Sequence, residues 1–414
     1  MNRIEKLIAE LCPNGVEWKK LGEVTIWDRR FIGVNKNMQK NVLSFKHISA
    51  NDLKKLETTG GNIKLLSTGK FDGWTTEKLA EGYINEGEII SIPSGGSANI
   101  KYYNGKFVDS GNILAKSFDS KILNLKFCYY FLLTRIKLIE SYFRGSGVKH
   151  PNMPSILNIP IPIPPLPIQE EIVKILDTFT ELEAELEAEL EARRKQYEYY
   201  RNTLLTPVEK DGRWYLNGKE VEWKKLGEVG TLIRGSGLQK KDFTDSGVGC
   251  IHYGQIYTYY GTFADRTISF VSEETAKNLK KVSKGDLVIT STSENIEDVC
   301  KSVAWVGDNE IVTGGHAIIL KHHENAKFLS YYFQTRNFFI QKIKYAKGTK
   351  VIDISVGDLA KIPIPIPPLS EQEGIVAILD KFDALVNDIS QGLPAEIEAR
   401  RKQYEYYRNK LLSL

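Results

Sequence analysis

Cysteine is scarce and scattered in this chain. Its four thiols, Cys12, Cys128, Cys250 and Cys300, lie far apart in 414 residues, with no CxxC pair and no histidine cluster beside them. Neither a disulfide framework nor a zinc site is indicated, and idle thiols suit a reducing compartment. Long apolar runs are missing too. The opening stretch, MNRIEKLIAELCPNGVEW, carries charges every few residues, too often for a signal peptide or a membrane span. The expectation is a soluble, cytoplasmic protein with no membrane segment. No GxxxxGK[ST] phosphate loop occurs, and the glycine-rich SIPSGGSANI at Ser91 and VTGGHAII at Val312 have the wrong spacing for nucleotide binding. Both read as turns between strands, with His316 as a loop or packing histidine. A charge excess of one sign is lacking as well. At a net charge of +4, any polyanion must be met by local basic clusters rather than by the whole surface.

What is present is a duplication. At 42% hydrophobic content the chain can bury two ordinary cores. VEWKKLGEV runs from Val16 and again from Val221, 205 positions on; IPIPIPPL runs from Ile159 and again from Ile362, 203 positions on. Each proline block leads into a related run, QEEIVKILD from Gln169 and QEGIVAILD from Gln372, and ARRKQYEYYRN is identical at Ala192 and Ala399. Between these blocks the halves share little beyond echoes such as KF…TR at Lys126 to Arg135 and Lys327 to Arg336. One frame has been kept twice and its contents changed.

After each proline block the spacing predicts a long helix. In the first copy the apolar positions run Ile172, Ile175, Phe179, Leu182, Leu186, Leu190, Tyr197, Tyr200 and Leu204. In the second they run Ile375, Ile378, Phe382, Leu385, Ile389, Leu393, Ile397, Tyr404, Tyr407 and Leu411, with one extra step of four. These are nearly continuous heptad seams. The second helix therefore holds one inserted turn, with Gly392 and Pro394 predicting a kink or short break inside it. Acidic residues gather toward the amino end of the first helix and basic ones toward its carboxyl end, as the helix dipole favours. The two helices are expected to pair within the chain as an antiparallel coiled coil carrying two different globular heads about a pseudo-twofold axis. The fold class is α/β, with α+β heads. The divisions expected are 1–158 (amino-terminal segment and first head), 159–205 (proline hinge and first long helix), 206–220 (linker), 221–361 (second head) and 362–414 (proline hinge and second long helix).

Taken together, CPNGVEWKKLGEV, the IPIPIPPL and QEEIVKILD boundary, the EARRKQYEYYRN helix ends and their repetition resemble the specificity subunits of type I restriction-modification systems, over essentially the whole chain. The resemblance implies that each variable segment is a target recognition domain reading one half of a split double-stranded DNA site. It implies that the helices act as ruler and as docking surface for two methyltransferase subunits, with restriction subunits joining the assembly. It also implies no chemistry in this chain: S-adenosylmethionine, ATP and magnesium would sit on the partners. The residues agree, because no Asn/Asp-Pro-Pro-aromatic motif for a flipped base is present. ELEAELEAELEA, from Glu181 to Ala192, is three copies of a four-residue unit. In related proteins such copies alter the spacer; it is also simply a helix-favouring stretch.

Within the heads, runs such as GEIISI from Gly87 and GDLVITS from Gly285, mixed with helical patterns, imply α/β globules. Basic and polar residues of the divergent parts are the candidates for the DNA face. In the first head these are Arg29, Arg30, Lys36, Lys46, His47, Lys101, Arg144 and Lys149. In the second they are Arg234, Lys240, Lys241, His252, Gln255, Tyr257, Lys344, Lys347 and Lys350. GSGVKH at Gly145 and GTKVID at Gly348 occupy equivalent places, as loops toward phosphates or as turns joining head to helix. No catalytic, cofactor-binding or metal-ligating residue is expected. A free-standing sequence-specific DNA-binding regulator and a coiled-coil adaptor are the alternatives.

Overall fold

The computed structural model describes residues 3–388 and 390–414. It divides into two compact units, one made of Met1–Glu185 with Ala399–Leu414 and the other of Leu186–Glu398.

In the first unit the repeated blocks at either end of the divergent segment meet each other. Glu17–Lys20 pairs antiparallel with Pro160–Ile163, Glu17 opposite Ile163 and Lys20 opposite Pro160. Proline cannot donate to a ladder, so an Ile-Pro alternation suits a two-stranded sheet in which only one edge is bonded. Ile159, Ile161 and Ile163 are buried and anchor the segment in the core. The head itself is one six-stranded sheet in the order Thr25–Trp27, Asn112–Ser117, Asn85–Pro93, Lys101–Asp109, Ile63–Leu66, Asp72–Thr75.

The second unit repeats the closure in the same register. Glu222 stands opposite Ile366 and Lys225 opposite Pro363. Its head differs, with a five-stranded sheet built on Gly230–Arg234 and Ala317–His322 and a separate four-stranded one around Val248–Ile251 and Ile311–Thr313. Residues 208–220 form a three-stranded meander, and Trp214 from it packs edge-on against Trp223.

The shared nine-residue blocks turn out to be polar pins. Gln169 is fully buried; its Oε1 accepts from Asn124 N at 2.8 Å and its Nε2 donates to Ile122 O and Pro164 O. Asp177, two turns on, accepts from Lys126 Nζ at 2.7 Å and Tyr130 Oη at 2.6 Å. In the second unit Gln372 bonds Asn325 N at 2.9 Å and Pro367 O at 2.8 Å, while Asp380 accepts from Lys327 Nζ and Tyr331 Oη, both at 2.7 Å. The KF…TR echoes are the head helices that these pins grip. A buried amide fully satisfied in this way is costly to replace, because its partners would be left unpaired.

The first long helix runs unbroken over Leu166–Leu205. The second is split into Leu369–Asn387 and Leu393–Leu411. Near their starts the helices bury Ile168, Ile172 and Leu176 in one unit and Ile375 and Leu379 in the other. Ile378, expected on the seam, is exposed. The seam proper begins at the phenylalanines. In the first unit Phe179 stacks on Tyr407 at 5.5 Å and lies 6.4 Å from Tyr404, and Glu183 pairs with Arg401 at 2.5 Å. Rising numbers on one helix meet falling numbers on the other, so the pairing is antiparallel. In the second unit Tyr197 and Tyr200 stack on Phe382 at 6.4 and 5.2 Å, and Tyr197 Oη donates to Asp383 at 3.2 Å. Leu182, Leu186, Leu190, Leu204 and Leu393 are half-buried, and Ile397 and Leu411 are buried. Tyr200, Tyr407 and Leu385 are 38%, 36% and 37% exposed; the two tyrosines keep ring contacts with the phenylalanines, and Leu385 lies near the end of its segment. Ile389 lies outside the described residues.

The break falls where glycine and proline predict it, but the inserted turn is not helical. The chain leaves the helix at Asp388 and resumes at Leu393. Gly392 lies so close to the last carbonyls that a Cβ there would collide with Ala384 O and come 2.8 Å from Leu385 O. Only glycine fits that approach. Two segments of 19 helical residues stand against one of 40 in the first copy.

Candidate nucleic-acid interface

Arg29 and Arg234 hold the same frame position, 205 apart. Arg234 ends the first strand of its head, and Arg29 follows two residues after the matching strand, Thr25–Trp27. Arg29 is gripped by Asp28, with Nε to Oδ1 and Nη2 to Oδ2 both at 2.9 Å, and Nη2 also reaches Asn112 O at 2.8 Å. Arg234 is looser, with Nε 3.4 Å from Gly315 O and Nη2 3.6 Å from Asp353.

Behind Arg29 lies a charged chain. The Asp28 and Asp109 side chains are 1% and 0% exposed. His47 stands between them, Nδ1 2.8 Å from Asp109 Oδ2 and Nε2 3.5 Å from Asp28 Oδ2. Its bonds to Asp109 and then Asp28 raise its pKa to about 9, against the opposing effect of burial. Burial resists ionisation of Asp28, yet the bonds from His47 and Arg29 outweigh it and hold its pKa below the usual carboxylate value. Asp109 also accepts from Gly111 N, Asn112 N and Asn112 Nδ2.

The glycine-led loops are hairpins placed alike in the two heads. Phe143–Arg144 pairs with His150–Pro151; Lys149 O accepts from Gly96 N at 2.8 Å, and His150 Nδ1 lies 2.6 Å from Ser94 O. In the second head Lys347 bridges to Asp353, and Ile352–Asp353 pairs with Thr292–Ser293. Arg144, Lys149 and Lys350 project exposed from these hairpins, and Arg30, Lys36, Lys46, Lys240, Lys241 and Lys344 are exposed on other segments. Lys347 is exposed but pairs with Asp358 at 2.9 Å.

Four candidates, none of them buried, are held by bonds within their own head. Lys101 Nζ caps Ser67 O and Phe71 O from a side chain 13% exposed. His47 has both ring nitrogens engaged. Gln255 is a helix cap, accepting from His252 N at 3.0 Å and donating to Ser269 Oγ at 2.6 Å. The Tyr257 hydroxyl donates to Thr292 O. His252 is buried, and burial, with Lys240 and His316 nearby, lowers its pKa, so it is neutral and accepts from Gly254 N at 3.1 Å. Its ring lies 4.5 Å from that of Tyr253, which in turn lies 4.8 Å from His316. Together with Lys240, Gly237 and Gly315 these rings line an open cleft of about 420 Å3. Tyr253 and the carboxylates Asp28 and Asp109 were not anticipated. Asp28 had a signal in its place directly before Arg29; Asp109 had none, being 62 residues from His47. Among the described residues no cluster of side chains could hold a metal ion, and no helix is long and apolar enough to cross a membrane.

Two differing heads of mixed helix and sheet, closed in the same register on one repeated frame and each exposing basic side chains, define a two-headed protein built by duplication. The model of the type I restriction modification DNA specificity domain matches residues 40–192 and again 218–399, so the chain belongs to that family. A type I restriction enzyme specificity subunit of Escherichia coli is 33% identical over 430 residues, covering 100% of this chain and 97% of that protein. Among solved structures, the S subunit of a type I restriction-modification system from M. genitalium superposes with a TM-score of 0.58 at 17% identity, covering 97% of each chain. A chain from a study of assembly and conformational transition in a type I system gives 0.55 at 16%, covering 97% of this chain and 98% of that one. The protein is a DNA sequence-specificity subunit and not itself an enzyme.

Proposed function

We propose that the first head reads one half of a split duplex site with the surface around Arg29, and the second reads the other half with the surface around Arg234. The observation that carries this is the equivalence of the two arginines on heads whose remaining contents differ. Exposed lysines around each would hold phosphates, which fix register without reading sequence. The long helices set the spacer. S-adenosylmethionine, ATP and magnesium belong to the methyltransferase and restriction partners, and the complex works in the cytoplasm. Adenine-methylation mapping in cells carrying the chain and its methyltransferase partner tests the reading. Arg29→Ala should relax one half-site and Arg234→Ala the other, each by about 1–3 kcal/mol of discrimination. If either variant weakens all sites uniformly, these arginines hold phosphate and do not read bases.

Docking of two methyltransferase subunits is supported by the repeated helix ends. Tyr197 and Tyr404 are packed inward under Arg201 and Arg408, at 5.2 and 5.3 Å, while Tyr199 and Tyr406 are 64% and 60% exposed. Matching exposed tyrosines on identical sequence suit two copies of one partner, because tyrosine is enriched at interfaces and their hot spots. In native mass measurements Tyr199→Ala or Tyr406→Ala alone should lower partner stoichiometry from two to one, and the double variant should abolish binding. Full stoichiometry in the double variant would place the docking surface elsewhere.

A further inference from the structure

We propose that His47 is a positioning residue for sequence reading in the first head, acting through Asp28 to hold the Arg29 guanidinium in one orientation. This rests on the reading of Arg29 as a DNA contact. The geometry is a relay: Asp109, fixed by two backbone amides and Asn112 Nδ2, holds His47 Nδ1. The far side of the ring faces Asp28, and both oxygens of Asp28 hold Arg29. Three of the five arginine N–H donors are thereby taken, two by Asp28 and one by Asn112 O. The two on Nη1 remain for an acceptor outside, on a side chain 40% exposed.

The imidazole stands between two carboxylates with almost no exposure, where a cation offsets the cost of burying negative charge. A protonated imidazole there keeps Asp28 ionised, and an ionised Asp28 keeps the guanidinium bidentate and planar to it. The charged groups facing the ring are Asp28 and, beyond it, Arg29 from the first-strand end, and Asp109 from the end of Lys101–Asp109. A phosphate contact would not need such orientation, since lysine serves it as a point charge; a base edge does. The second head is built differently, its arginine lying 3.4 Å from Gly315 O and 3.6 Å from Asp353 on a side chain 47% exposed.

The test is competition binding by the complex of the full chain with its methyltransferase partner, using duplexes with single base changes across both half-sites. His47→Gln should reduce discrimination at the base pair read through Arg29 by roughly tenfold and leave the second half-site untouched. His47→Arg, which keeps a cation able to bridge two carboxylates, should restore it. Because His47→Gln uncovers buried charge, His47→Gln with Asp109→Asn, which removes cation and anion together, serves as the second variant and should show the same relaxation with the head folded. Unchanged discrimination in the double variant, or equal loss in both half-sites, overturns the proposal. Arg29→Ala separates the two layers. If it relaxes the first half-site while the His47 variants do not, only the relay fails; if it leaves both half-sites intact, the reading of Arg29 fails and the relay with it.

Discussion

Replacing Asp109 by alanine is expected to destabilise the first head by about 2–3 kcal/mol, because removing a buried acceptor leaves its hydrogen-bond donors unsatisfied at about 1–3 kcal/mol each. The carboxylate is fully buried and takes hydrogen bonds from four donors: His47 Nδ1 at 2.8 Å, Gly111 N at 2.7 Å, Asn112 N at 2.9 Å and Asn112 Nδ2 at 2.6 Å. Its loss leaves the buried Asn112 amide and the half-buried Gly111 amide without an acceptor, and the imidazole with Asp28 alone. The same bonds give the stability a pH signature. His47 titrates near 9 in the folded head against an ordinary value of 6.5, so its contribution is fully present below about 6.5 and is lost as pH rises through about 9. Unfolding of the full chain, followed by hydrogen exchange separately in each head between pH 6 and 10, measures both effects. In the wild type the first head should weaken toward alkaline pH; in Asp109→Ala it should be weaker throughout and its pH slope flatter. The second head, where burial lowers the pKa of His252, His322 and Lys342, should show no such alkaline weakening, since depressed cations favour the folded state as pH rises. A loss under about 1 kcal/mol would show that Asp109 is not the hub of this network.

Residues that the sequence repeats are where reading and structure agree best. VEWKK and IPIPI pair in one register in both halves, and Gln169 with Asp177, like Gln372 with Asp380, make identical bonds to the heads. Duplication exposes such residues because both copies meet the same geometric demand. The divergent heads give no such comparison. Lys101 and Tyr257, candidates by residue type, bond carbonyls 34 and 35 residues away that the sheets bring near, and Gln255 caps its own helix. An exposed lysine and a capping lysine are the same letter; only the sheet order separates them. The helix seam shows an intermediate case. Spacing identified Phe179, Tyr197, Phe382 and Tyr404, whose large rings must find partners. Ile378 and Leu385 fit the same spacing yet are exposed, because a periodicity of apolar residues fixes a face and not how far that face is covered. The four-residue surplus of the second helix is legible as an offset, but that the helix stops at Asn387 and resumes at Leu393 rests on the close approach of Gly392 to carbonyls one turn and more away, which only the structure shows.

Deleting one ELEA unit from Glu181 to Ala192 is expected to change the distance between the half-sites and nothing else about them. The stretch lies inside the unbroken helix Leu166–Leu205, and its Leu182, Leu186 and Leu190 are half-buried at a spacing of four while most of its glutamates are exposed. Removing four residues therefore keeps the order of apolar and polar positions, shortens the helix by about 6 Å and turns its carboxyl-terminal part by roughly 40°. The split second helix shows that this chain absorbs a four-residue difference locally, without a change in the packing of Phe382 or Tyr404 upstream and downstream of it. Neither head contains any part of the deleted segment, so the side chains around Arg29 and Arg234 are untouched. At ~3.4 Å per base pair, 6 Å is nearly two base pairs. Methylation mapping should then return a split motif with both half-sites preserved and a spacer shorter by one or two base pairs. An unchanged spacer would mean that the helix does not set the separation. A changed half-site would mean that the helix reaches into the reading surface, and the division of labour between frame and heads would have to be abandoned.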